Sequence, residues 1–581
     1  MSDYNNAMDH DLIDPRQTGF TTIISTDQLQ ELKAKIKMGV SKVELGFVGR
    51  GKTMGNTISP ETYGEDERQD LRELAKLNDI ELTTHTAPDA GPLSGLGQGG
   101  FDEATRKQVV DEVKRAIDFA ADVAEGGAVV AHTGEFERPL YESEIADREE
   151  GKRKTFLKHG TNEEEDNESR VGVKFLVDER TGEVIRETAI RKDQKFYMPE
   201  VDIHGNIIEG EKEVKERDWN WVVAKTKEHN DWVKQEREKA IREGKQINEK
   251  DYQELKPENW MFQQKINQNI SSLNGNIAHY SELASDYEKR GGEHAKEHAK
   301  SMRESVLQMK GQIEELKLKQ KHAKSIEEVG VEKTARSLAE LGMYTRDRQL
   351  KRENDTGEKF KRDLFVAPEN IAPESYGGHP QELKRLVLEG RKKMANLLHI
   401  QKGLSQEEAK KEARNHIRAT FDVGHANTWR RYFQGSDEDF KKWVVDQVKD
   451  LTKDDIIGHI HLSDNFGYHD EHVVPGQGTA PLTDSIKEIK NMMKKSGKKD
   501  DIDFIIEAGR HGNQAWIRGL KEVSSPIYGI SRPNYSDPWG IIHKSYFSST
   551  APPYFVIGQY GDSFGERMKK DFGAWSETSF E

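Results

Sequence analysis

Residues 460–472, Ile-His-Leu-Ser-Asp-Asn-Phe-Gly-Tyr-His-Asp-Glu-His, hold three histidines and three acidic residues in thirteen positions, at the end of an apolar run that reads as a strand. Imidazoles and carboxylates at that density suit a hard or borderline divalent cation. Similar groups close the other apolar runs: His85, His132, Glu369, Asp422 with His425, His461 and Glu507, with Asp470 and His472 just beyond His461. Any one histidine at such a place is most simply a hydrogen-bonded rim residue. Six successive strand ends on one rim are a different matter, because gathering their carboxylates unneutralised would cost several kcal/mol per group. Bound cations are the economical solution. The chain has no cysteine, so any tightly held metal must use imidazole and carboxylate. The imidazoles favour zinc, while Glu369, Asp422, His461 and Glu507 alone would equally suit manganese or magnesium.

Such residues meet only if the elements carrying them converge. Eight strand-like runs occur: 20–25, 42–48, 81–87, 127–134, 364–371, 419–426, 456–464 and 503–509. Amphipathic helical stretches follow most of them, such as 67–78, 103–124 and 437–451. Eight strand-helix units predict an α/β fold, a (β/α)8 TIM barrel whose active face lies at the C-terminal ends of its strands.

The expected organisation is an N-terminal tail (1–17), a first barrel half (18–140), an inserted domain (141–362), a second barrel half (363–523) and an aromatic-rich extension (524–581). In the insertion, alternation around Thr181-Gly182 predicts a β-hairpin over about 171–197. Farther on, Ile266, Ile270, Leu273, Ile277, Tyr280, Ala284 and Tyr287, then Met302, Val306, Met309, Ile313 and Leu316, are spaced alternately near three and four. That spacing, broken at Gly291-Gly292, predicts an antiparallel coiled-coil hairpin over about 258–323, a projection suited to a protein partner or self-association. The extension holds twelve aromatics, among them Trp539 and Trp575, too many to leave free in water.

A formal charge of −15 argues against a generally basic, nucleic-acid-coating surface, though not against a local basic groove. No uninterrupted apolar run of about 18 residues occurs and the start is acidic, which predicts a soluble, cytoplasmic protein with no membrane contact.

The motifs APEN with Glu369, DVGH with Asp422 and His425, HLSD with His461 and IIEAG with Glu507 resemble the xylose-isomerase-like barrels, which include sugar isomerases or epimerases and the endonuclease IV repair enzymes. The likeness covers about 18–140 and 362–523. His85 in THTAP, His132 in AHTGE, and Asp470-x-His472 ahead of Gly476-Gln477-Gly478 further resemble endonuclease IV, so that all nine positions of its trinuclear zinc site are matched. That resemblance implies up to three Zn2+ ions, with Mn2+ or Mg2+ as alternatives, and phosphodiester hydrolysis at abasic nucleic acid. Glu369 would bridge metals, and Glu507 would bridge or orient the attacking water. A sugar or sugar-phosphate isomerase would instead need one metal, with Glu369 and Glu507 as acid and base flanking the substrate carbon. A third reading makes the barrel a component of a larger assembly that uses the coiled-coil arm. The chain departs from the nuclease pattern after His85, where APDAGPLSGLGQGG replaces the usual tyrosine-containing loop. Arg50 and Arg510, following the second and last strands, are the candidate anion contacts.

Overall fold

The computed structural model describes residues 17–24, 27–49, 59–137, 174–190, 195–202, 208, 213–244, 252, 254–433, 435–496 and 502–508. The expected contacts Arg50 and Arg510 and the aromatic extension lie outside them.

In chain order, the first barrel half is β1 (Thr18–Thr21), α1 (Gln28–Lys37), β2 (Lys42–Gly46), α2 (Glu65–Leu77), β3 (Glu81–His85), α3 (Glu103–Val123) and β4 (Gly127–His132). Next come β5 (Lys174–Asp178), β6 (Val184–Ile190), β7 (Phe196–Met198), β8 (Lys215–Arg217), α4 (Trp219–Arg242), α5 (Pro257–Arg290), α6 (Glu293–His322), β9 (Ala323–Ser325) and α7 (Ile326–Thr356). The second half is β10 (Leu364–Glu369), α8 (Pro380–Lys402), α9 (Gln406–His416), β11 (Ala419–Asp422), α10 (Val423–Asn427), α11 (Asp437–Lys453), β12 (Ile457–Leu462), α12 (Leu482–Ser496) and β13 (Asp503–Ile506).

Eight parallel strands close the barrel in the order β1-β13-β12-β11-β10-β4-β3-β2. Every residue of β2, β10, β11, β12 and β13 is buried, as expected where helices cover a parallel sheet and its inner face is packed. The first strand differs from the expected 20–25. Pairing with β2 and β13 begins at Thr18 or Gly19, and the Thr22 hydroxyl is taken up by Gln28, the Glu44 carbonyl and the Gly46 N–H, which turns the apolar run out of the sheet.

Several inward positions are polar rather than the aliphatic layers usual in such barrels. At the N-terminal end, buried Lys42 pairs with Asp503 at 2.6 Å and with Glu81, while Arg362 pairs with Asp503. Burial pushes the Asp503 carboxyl up, but Arg362 and Lys42 outweigh it and hold it well below the usual range. Asp503→Ala would leave Lys42 buried with one partner fewer, a loss expected to cost about 3–5 kcal/mol. Denaturant titration should show a correspondingly earlier midpoint, and an unchanged midpoint would refute a stabilising role for this cluster.

α7 packs against α3 and α8; Ser337 and Glu340 receive the buried Arg106 guanidinium at 3.0 and 3.1 Å. β5 and β6 form the antiparallel hairpin, with β9 on its other edge. Its turn reaches the loop after β3, where the Gly182 carbonyl accepts from Phe101 N at 2.8 Å. Glu135, fully buried, accepts from Leu93 N, Ser94 N and the Thr334 hydroxyl, tying the same loop to α7. α5 and α6 run antiparallel, crosslinked by Glu288–Arg303 and Asn267–Gln320. Ile266, Ala284, Val306 and Ile313 are buried between them, whereas most other seam residues are half-buried, since two helices alone cover only one side of a seam.

Candidate metal centre

Register brings the predicted residues to one rim. Gly46 pairs with His85, His132 with Glu369, Asp422 with His461, and Leu462 with Ile506, so that Glu507 emerges beside them. Local chemistry then aims each group. Asp422 caps α10, its Oδ1 accepting from His425 N at 2.6 Å, which fixes the spacing of the two residues in DVGH. Asn370 clamps the Asp422 backbone from both sides, accepting its N–H at 2.9 Å and donating to its carbonyl at 3.0 Å. The Ser463 hydroxyl donates to Asp422 at 2.7 Å, and a Cβ at Gly424 would lie 2.1 Å from that hydroxyl, so the glycine is required.

Glu369, wholly buried, is the hub. Its Oε1 lies 2.9 Å from His461 Nδ1 and 3.5 Å from His425 Nδ1; its Oε2 lies 3.4 Å from His85 Nε2 and 3.6 Å from His132 Nε2. His461 Nδ1 is also 3.1 Å from Glu507 Oε2 and 3.9 Å from Asp422 Oδ2. On the outer side Asp470 Oδ2 stands between His425 Nε2 at 3.0 Å and His472 Nε2 at 2.9 Å. His472 Nδ1 reaches the Glu507 carbonyl at 3.4 Å. All nine predicted residues therefore line one continuous cluster.

The loop carrying Asp470 and His472 is pinned by buried Asp464. Its Oδ2 accepts from Gly476 N at 2.8 Å and Gly478 N at 2.9 Å, and its Oδ1 from Asn465 N at 2.9 Å and Ala480 N at 3.1 Å. A Cβ at position 478 would lie 2.2 Å from the Asn465 carbonyl, which explains the second glycine of Gly-x-Gly. His472 itself sits at φ 46, a left-handed conformation costing a non-glycine residue about 1 kcal/mol or more, and the adjoining Val473 N→Asp464 O bond at 2.8 Å helps hold it there.

A closed parallel barrel with this rim agrees with the sequence comparison: residues 32–162 match the family model of the xylose isomerase-like TIM barrel. That stretch holds β2, β3 and β4 of the eight-stranded closed barrel. No curated protein sequence matches the chain. Among solved structures, D-psicose 3-epimerase with D-tagatose from Clostridium cellulolyticum is 9% identical with a TM-score of 0.32, over 88% of this chain and 96% of that one. Endonuclease IV from Thermus thermophilus is 10% identical with a TM-score of 0.33, over 88% of this chain and 98% of that one.

At this rim the donor set fits divalent cations. Glu369 Oε2 is buried without a hydrogen-bond partner while facing two imidazole nitrogens, and among the described residues four groups answer the spacing of metal ligands: Glu369, Asp422, His461 and Glu507; His425, Asp470 and His472; His85, Glu369 and His461; and Glu44, His459 and His461. The buried carboxylates also shift the imidazoles beside them. Burial pushes the His85 imidazolium down, but Glu369, Glu44 and Glu507 outweigh it and raise it to about 9. Burial likewise opposes protonation of His472, yet Asp470 and Glu507 raise it to about 9. His132 goes the other way, to about 4, because burial and the neighbouring His85 and His425 outweigh Glu369.

A histidine raised in the folded state stabilises the fold fully below its ordinary 6.5, and that contribution is lost as pH climbs through the folded value. Protein treated with chelator is therefore expected to lose thermal stability between about pH 6.5 and 9, which a melting series across that range measures. Rising stability in that window would contradict the proposed pairing.

Three neighbours escaped the sequence reading: Glu44 on β2, His459 on β12 and Asn370. Glu44 Oε2 lies 3.4 Å from His459 Nε2 and 3.2 Å from His461 Nε2, one layer below the rim. The signal for Glu44 and His459 was the alternation of polar and apolar residues in KVELG and HIHL, unusual for strands buried on both faces. His469 and Glu471 of the same loop as Asp470 and His472 are exposed. Among the described residues no helix is long and apolar enough to cross a membrane.

Proposed function

We propose that this chain is a metal-dependent phosphodiesterase of the endonuclease IV type, acting on abasic nucleic acid with up to three zinc ions. What supports this over a one-metal isomerase is the additional ligand chemistry on either side of Glu369. His85 and His132 face its Oε2, and His425, Asp470 and His472 form a separate group within 4.8 Å of one another. A sugar isomerase or epimerase would use Glu369, Asp422, His461 and Glu507 around one cation, and would leave His85, His132, Asp470 and His472 without a task.

When bound, the cations would supply Lewis-acid stabilisation of a phosphoryl group and lower the pKa of an attacking water. Glu369, with no exposed side-chain surface and imidazole nitrogens at both of its oxygens, is assigned to hold the cations. Glu507, whose side chain is 24% exposed where those of Glu369 and Asp422 are buried, is assigned to orient the attacking water. Water adds to phosphorus as the bond to the leaving sugar oxygen breaks, and Asp470 and His472 hold the outer edge of the site. Arg50 and Arg510 are proposed as phosphate contacts from their positions in sequence after β2 and β13. The α5–α6 arm, which carries none of this chemistry, is proposed for association with a protein partner or a second copy.

Duplex DNA with a single abasic site, tested beside a panel of ketoses and their phosphates, separates the readings. Strand cleavage at the abasic site without ketose conversion is expected. Ketose interconversion without cleavage would replace this reading with the single-metal isomerase.

A further inference from the structure

The histidines of the rim share a pattern that one of them breaks. Those at positions 85, 132 and 425 turn Nδ1 to a backbone carbonyl, of Thr86 at 2.6 Å, Pro88 at 3.1 Å and Asn370 at 2.8 Å, and His472 turns Nδ1 to the Glu507 carbonyl at 3.4 Å. Each is thereby aimed with Nε2 toward the cluster, and His425 Nδ1, beside its carbonyl contact, also lies 3.5 Å from Glu369 Oε1. His461 is reversed. Its Nδ1 points at Glu369, Glu507 and Asp422, and its Nε2 lies 3.2 Å from Glu44 Oε2 and 3.0 Å from Oε1.

With Glu369, Glu507 and Asp422 around Nδ1, that nitrogen can face a shared cation only when the ring proton sits on Nε2. A carboxylate on the opposite side of the ring accepts that proton in a hydrogen bond and holds it there. Glu44 is positioned to do so: it is 1% exposed, the Thr83 hydroxyl donates to its Oε2 at 3.4 Å, and His459, anchored through Nδ1 to Thr420, flanks the same oxygen. We infer that Glu44 is a positioning residue that keeps the proton of His461 on Nε2 and presents the Nδ1 lone pair to the cation held with Glu369, Asp422 and Glu507. This rests on the metal-centre reading proposed above, but only on the group that the phosphodiesterase and the isomerase share.

The test compares full-length wild type with Glu44→Gln and Glu44→Leu, measuring Zn2+ affinity by competition with a chromophoric chelator and the His461 ring by 15N NMR. Glu44→Leu is expected to weaken one zinc site by roughly 10–100-fold, with the others unchanged, and to shift the His461 signals from a single Nε2–H tautomer toward a mixture. Glu44→Gln, still accepting through its amide oxygen, should retain the tautomer and most of the affinity. Wild-type affinity and an unchanged ring in both variants would overturn the inference. So would loss of a whole zinc equivalent in Glu44→Gln that His459→Gln also loses, because Glu44 would then be a ligand itself. One zinc in the wild type sinks the phosphodiesterase reading and leaves the Glu44 comparison intact; no zinc uptake overturns both.

Discussion

Replacing Glu369 with glutamine is expected to reduce turnover about 1,000-fold or more, the scale set by removing a preorganised electrostatic group from a buried site. Both oxygens of this carboxylate are engaged, Oε1 toward His461 and His425 and Oε2 toward His85 and His132. An amide keeps one acceptor and turns its NH2 toward the other pair of nitrogens, so one side of the centre loses its ligand whichever way the amide settles. Metal content should fall together with activity. Burial alone would push the Glu369 carboxyl up, yet His461, His425 and His85 hold it well below its ordinary range. The variant should therefore also be less stable than wild type when both are stripped of metal. Full activity with undiminished metal would remove Glu369 from the centre.

The second large effect is expected from Asp464→Asn, although Asp464 contacts none of the nine proposed ligands. Each of its oxygens accepts two backbone N–H groups, and asparagine must turn an NH2 toward one of those pairs. Donor would meet donor in a buried position, and the loop holding His472 at positive φ would relax. The expected result is loss of the metal held by His425, Asp470 and His472, with the group around Glu369 still occupied and the barrel folded by circular dichroism. His472→Ala should lose the same metal without disturbing the loop. Retention of every metal in Asp464→Asn would show that the loop does not depend on this clamp.

Most of the barrel was legible because its strands are short apolar runs separated by amphipathic helices, and because ligand-type residues stand where those runs end. Gly476 and Gly478 could be recognised as a pair from the sequence, but their reason could not, since it lies in Asp464, at the far end of the same loop. The polar interior was harder to see. Lys42 and Glu44 on β2, Glu81 and Thr83 on β3 and His459 on β12 occupy inward positions before the strand ends, and a search confined to ends passes over them. β1 was misplaced because hydrophobicity continues through Ile23 and Ile24 after the backbone has left the sheet, a change made by hydrogen bonds of Thr22 that no apolar pattern records.

Metal stoichiometry and position test the central claim most directly. Protein purified without chelator should carry about three zinc ions per chain, and anomalous diffraction should place them against His85, His132 and Glu369, against Glu369, Asp422, His461 and Glu507, and against His425, Asp470 and His472. A single ion confined to the middle group, or metal bound away from these nine residues, would contradict the account.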